Sequence, residues 1–280
     1  MDASTLKQKL QQLCAVDFAA DQVKQPYELA LHMMQHIGNP DPVLRDELIY
    51  VTLATWIGQN VFSDEQLKNL LDIALDDAHL FYRIGEQGTD SVFTRTFSVL
   101  ILPPILGIDR QRSFLRREDM VRIQGSLITY LKSERDVRGY VEDKGWAHAP
   151  AHAADAVEDL AQSPYLESAE LLELLHALSI KVTESSRAYI YEEDQRMAQA
   201  AVTILSRNRI EQAELAAWTE LLQTERNGEA KDDKTLQEIS QMSLNIRMFM
   251  QSLYFAIREK EAEPFPAVRS LLLRALDGRG

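Results

Sequence analysis

The chain has 280 residues, 45% of them hydrophobic, a formal net charge of −13 and a single cysteine. That apolar fraction supplies a continuous core and excludes a disordered chain. The acidic balance argues against nucleic acid and anionic membranes as partners, since both need net positive faces, and Cys14 alone closes no internal disulfide, which fits a reducing cytoplasm.

The N-terminal MDASTLKQKLQQL lacks the apolar core of a signal peptide. Apolar residues recur at three- and four-residue spacing from end to end and nowhere alternate with period two, so helices are expected throughout. Leu6, Leu10, Leu13 and Phe18 mark a first helix, and residues 27–37 a second. Asp41 before Pro42 is an N-cap signal with proline in the first turn, opening a helix to about residue 56. Ser63 and Gln66 form a capping box ahead of an apolar face of Leu67, Leu70, Leu71, Ile73 and Leu75. After Gly85 and Gly88, Ser91 opens a further helix. The apolar run FSVLILPPILGI over 97–108 is too short to span a bilayer. It is expected to be a buried helix that kinks or stops at Pro103 and Pro104. Helices follow at about 119–134, 146–162, 169–182, 192–206, 211–224 and 235–258. A polar loop, RNGEAKDDK, precedes the last of these, and a short helix comes after Pro264 and Pro266.

These helices pair, and the pairs repeat. RDELIYVTL from Arg45, RTFSVLILP from Arg95, HAADAVEDL from His152, RMAQAAVTI from Arg196 and RMFMQSLYF from Arg247 align at intervals of roughly 44–57 residues, near the roughly 40–47 of HEAT and armadillo units. A helical hairpin cannot bury its apolar stripe alone, so neighbours must stack. The expected architecture is an all-α, HEAT/armadillo-like α-α superhelix of stacked helical hairpins forming a single domain over 1–280. Residues 1–38 would cap it, 41–258 would form about five hairpin units, and 264–280 would close it. The register places a cation at one position of successive units: Arg45, Arg95, His152, Arg196 and Arg247. Four residues earlier stand Asp41, Ser91, His148, Glu192 and Ser243, read as helix starts. The cation column either ties each unit to acidic neighbours or lines a groove for an acidic partner.

Functional side chains concentrate in ERDVRGYVEDKGWAHAPAHAAD, residues 134–155. His148, His152 and Asp155, at i, i+4 and i+7, would fall within a fan of roughly 60° on one helix face. Such a set gives three ligands to a divalent ion such as zinc and leaves a position for water. Glu134 or Asp136 would then be the general base of a metal-dependent hydrolase. The competing reading is of polar groups hydrogen-bonded between packed helices. Upstream, Arg138, Tyr140, Lys144 and Trp146 are the binding candidates, together with Arg45, Arg95 and Arg196. Asp136 and Glu134 lie close enough to Arg138 for self-pairing to be the first explanation, and Trp146 at the helix start is better suited to stapling the loop to the core than to stacking on a ligand. His32 and His36 read as ordinary helix positions, and RQRSFLRR over 110–117 as a solvated turn.

The pattern ExDxRGYVxxKGWAHxxAHxAD over 134–155 resembles the signature of the bacterial domain-of-unknown-function 2785 family, as do LRDE at 44–47, RTFSVLIL at 95–102 and EDQR at 193–196. The resemblance spans about 44–255. It implies a bacterial, helical protein with no assigned activity and lends no catalytic residues. The expected role is therefore a cytoplasmic binding or scaffold module that takes an unknown protein or small ligand at 134–155. The alternatives are the metal-dependent hydrolase and a purely structural polar knot.

Overall fold

The computed structural model describes residues 1–227 and 234–277. Most of the RNGEAKDDK loop and the end of the helix expected over 264–280 lie outside the described residues. The fold is all-α. Its helices are α1 (Ala3–Cys14), α2 (Pro26–Gln35), a π-wound stretch (Val43–Tyr50) running into α3 (Val51–Gly58), α4 (Asp64–Ala74), α5 (Ser91–Val99), α6 (Leu102–Arg112) and α7 (Arg117–Ser133). After these come α8 (Ala149–Ala161), α9 (Ser168–Val182), α10 (Glu193–Ser206), α11 (Gln212–Asn227), α12 (Leu236–Ile257) and α13 (Phe265–Asp277). The helical expectation has one exception among the described residues. Strands β1 (Tyr140–Val141) and β2 (Gly145–Trp146) pair antiparallel, with Tyr140 opposite Trp146. Two-residue strands are too short for a period to register.

Local chemistry sets the helix starts. The Ser63–Gln66 capping box forms as expected, with reciprocal bonds of 3.3 and 3.0 Å, and Thr235 and Glu238 make the same arrangement ahead of α12. The Asp41 carboxylate accepts the Val43 amide at 3.0 Å. At the paired prolines the chain leaves α5, turns through Leu100 and Ile101, and restarts. Pro103 and Pro104 therefore sit in the first turn of α6, where a missing N–H leaves no bond unmade. The break comes just ahead of the prolines rather than at them.

The chain divides into two compact units, Met1–Asp119 with Ser133–Ala156, and Met120–Lys132 with Val157 onward. In the first, α3 packs on α6, α4 on α2 and α6, and α1 on the π-wound stretch. Leu10, Ile49, Leu53, Trp56, Leu71 and Ile105 are sealed there, each worth roughly 1.5–3 kcal/mol of burial. In the second, α12 is the central element, contacting α9, α10, α11 and α13 through a face that includes Ile246, Phe249, Met250 and Leu253. Asn245 on the same helix holds the loop before α10, accepting the Tyr189 amide at 2.9 Å and donating to the carbonyls of Glu184 and Arg187.

The helical stretch around the 97–108 run is longer than the run itself. Ser91–Arg112, mean hydropathy 1.5, has the length and composition to cross a membrane, yet 78% of its apolar window is buried within the protein. Of the repeat register, Asp41 caps its helix, Ser91 begins α5, and His148 and Glu192 precede α8 and α10 with left-handed backbones (φ 54° and 65°). Ser243 departs from it and lies inside α12.

Candidate functional site

The residues after α7 form a clasp. Glu134 and Arg95 are both sealed from solvent and meet bidentately: Arg95 Nε donates to Oε2 at 2.5 Å and Nη2 to Oε1 at 2.9 Å. The other guanidinium donors reach the Tyr82 carbonyl (3.0 Å), the Ser91 hydroxyl (2.8 Å) and the Glu86 carbonyl (3.2 Å). Glu134 in turn accepts the amides of Arg135 and Asp136, each at 2.9 Å. A buried ion pair is tolerable only when its remaining donors and lone pairs are filled in this way. The product is a fixed junction between α5, the loop 82–90 and the start of the 134–146 segment.

Three further ties close the same junction. Asp136 accepts the Gly88 amide at 2.9 Å and pairs with Arg138 at 2.6 Å, while Arg138 also donates to the Thr89 carbonyl at 2.7 Å. Lys144 grips both oxygens of Asp90 at 2.7 and 2.9 Å. The sealed Arg45 guanidinium pairs with Asp46 at 2.6 Å, donates to the carbonyls of Asn39 (2.8 Å) and Lys144 (2.6 Å), and lies over the Phe93 ring at 4.1 Å. Burial pushes the Asp46 carboxyl above the usual carboxylate range, and the adjacent guanidinium only partly offsets it.

On this base stands the β1–β2 ribbon, whose turn requires left-handed backbones at Asp143 and Gly145 (φ 62° and 76°). A Cβ at Gly145 would come within 2.9 Å of Pro42 and of the Asp46 carboxylate, so only glycine lets the ribbon approach the π-wound stretch. The pairing continues past the strands, with Ala147 N donating to Gly139 O and His148 N to Arg138 O at 2.8 Å. A row of rings then runs from the surface inward. Tyr140, 49% exposed, meets Trp146, 38% exposed, edge to face at 5.2 Å. Trp146 stacks on buried His148 at 4.9 Å, His148 meets His152 at 5.6 Å, and His152 meets Phe97 at 5.3 Å.

Several expectations change at this point. His148 does not lie within the helix: its φ is 54° and α8 begins at Ala149, so it stands at the helix start, its carbonyl taking the His152 amide at 3.0 Å. Asp155 is half-buried within α8, and no group of three or more His, Cys, Asp or Glu among the described residues is arranged to hold a metal ion. The oxygens of Glu134 and Asp136 are committed to guanidinium and amide donors, which leaves neither placed as a general base. Arg45 and Arg95 are wholly buried and line no groove, because each neutralises a carboxylate inside the first unit. Arg196 is half-buried on α10 in the second unit. The Arg138–Asp136 self-pairing does occur. Trp146, rather than stapling the loop into the core, stays exposed on the ribbon. Asp46, Glu86, Gly88 and Asp90 take part without having been singled out. Gly85 and Gly88 did punctuate their loop, but nothing local shows that the loop's partners lie 48 to 54 residues further on.

Fold and site together define an all-α protein in which a short ribbon carrying exposed rings is locked down by buried ion pairs. The chain belongs to the family described as protein of unknown function (DUF2785), whose model matches residues 80–255. That span takes in the loop 82–90, α5 and the whole of 134–155, while LRDE at 44–47 lies ahead of it. No curated protein and no solved structure matches the chain.

Proposed function

We propose that the protein is a binding or scaffold module and that its contact surface is the ring row on the clasped ribbon. The observation that carries this reading is the combination of exposed Tyr140 and Trp146 with a backbone tied down on every side. Rigid, half-exposed aromatic rings supply contact area at little entropic cost, and for that reason dominate many interfaces. The occupant is a partner protein or small ligand with a flat apolar face. The buried placement of 91–112, the acidic charge and the lone cysteine support a cytoplasmic setting.

The test places a photo-crosslinking benzoylphenylalanine at Tyr140 in cells that express the protein. One dominant adduct is expected, lost in Trp146→Ala while the melting temperature of that variant stays within about 2 °C of the parent. An adduct pattern no different from that of the same probe at exposed Val121 overturns the proposal.

The inward bonding of Arg138 and Lys144 favours a second reading, in which the segment is a structural knot with no ligand. Under it, Trp146→Ala lowers the melting temperature by many degrees and no specific adduct forms.

A further inference from the structure

The first unit carries a separate concavity of about 470 Å³ where α2 ends and the backbone of 36–39 crosses α5. Met34, Ile37 and Ala78 give it an apolar side. None of its lining residues is Asp or Glu, although the chain has 43 of these against 30 Lys and Arg. The crossing is close because residue 38 is glycine: a Cβ there would lie 1.9 Å from Thr94 Oγ1, and its absence brings the Thr94 hydroxyl to the pocket wall.

Several acceptors around the pocket are already engaged, and the Asp76 carboxylate faces His79 Nδ1 at 2.8 Å. Asn39 Oδ1 takes the Asp41 amide at 3.0 Å, and the Asn39 carbonyl takes Arg45 Nη1 at 2.8 Å. The Met34 carbonyl takes the Ile37 amide and faces His79 Nε2, both at 3.3 Å. Gln35 Oε1 faces the His32 ring at 3.3 Å. For a ligand, the Asn39 and Gln35 amides therefore retain N–H groups, and Tyr82 and Thr94 add hydroxyls. Beyond the lining residues, the exposed Arg83 guanidinium lies over the Tyr82 ring at 5.4 Å and is paired with Glu86 at 3.7 Å. A helix C-terminus would by itself favour a cation, but here the Met33 and Met34 carbonyls already take the His36 and Ile37 amides.

We propose that this pocket binds a small organic carboxylate, its oxygens taking the amide and hydroxyl donors and its hydrocarbon body lying against Ala78 and the Tyr82 ring. The experiment titrates the full chain with benzoate, benzamide and benzamidinium, three probes of one shape and different charge, while NMR follows the imidazole carbon-bound protons of His36 and His79. Saturable binding in the order benzoate, benzamide, benzamidinium is expected, with benzoate weaker by about tenfold or more in Thr94→Val, one hydrogen bond to a charged group. Ala78→Leu, a substitution at an exposed position that fills the pocket, should abolish binding with an unchanged melting curve, and Trp146→Ala should leave it intact. Benzamidinium binding as tightly as benzoate overturns the proposal. So does undiminished binding by Ala78→Leu, or no saturation by benzoate up to about 10 mM.

Discussion

At the scale of single residues the first unit depends on how its buried charges are satisfied. Arg95 and Glu134 gain little from attraction alone, since taking both out of water costs several kcal/mol each. Their contribution lies in what each would leave behind without the other. Arg95→Leu or Glu134→Leu alone is expected to destabilise by about 3–5 kcal/mol in urea unfolding. The double variant should cost clearly less than the sum of the two. Recovery will be partial, because the Tyr82 and Glu86 carbonyls still lose their donor. Single-variant costs below about 1 kcal/mol, the range of a surface pair, would show that the clasp is not what holds this junction.

At the scale of elements, two glycines separate backbone necessity from mere tolerance. Gly145 combines φ 76° with a Cβ direction blocked by Pro42 and Asp46, so Gly145→Ala is expected to cost about 1–3 kcal/mol. Gly125 lies inside α7 with nothing near its Cβ direction, so Gly125→Ala should add about 0.5–1 kcal/mol. Thermal or urea unfolding of the two variants side by side checks both signs. The same contrast shows which elements were legible beforehand. The Ser63–Gln66 box, the Asp41 cap and the proline break are written in residues within four positions of one another. The ribbon is not, because its two-residue strands exist only where Gly145 lets them lean on the π-wound stretch.

For the whole molecule, the buried carboxyls set a pH dependence of definite sign. Burial raises Asp46, Asp109 and Glu193 above their ordinary values. A carboxyl raised in the folded state holds its proton more tightly there than in the unfolded chain. Its contribution is therefore full below the ordinary value and is lost as pH rises through the folded one. Asp41, lowered with Lys7 and the Leu44 and Val43 amides as its hydrogen-bond donors, acts in the opposite sense at acid pH, but it is more exposed and counts for less. Glu193→Gln, keeping an acceptor for the Tyr191 amide, should gain on the parent as pH climbs from about 4 towards 7. Unfolding free energies measured across that range in both proteins would reverse the assignment if the parent gained instead.

By itself the sequence determined the helical class, most helix boundaries, the density of ionisable groups at 134–155 and the pairing of Arg138 with Asp136. All of these follow from period, capping and neighbours within a few residues. Only the tertiary structure decided that Arg45 and Arg95 are sealed, that His148 takes a left-handed backbone, and that Tyr140 and Trp146 face outward. The sealing of the two arginines rests on partners 39 and 99 residues apart, and whether a charge meets water or a carboxylate is settled only when distant segments close around it.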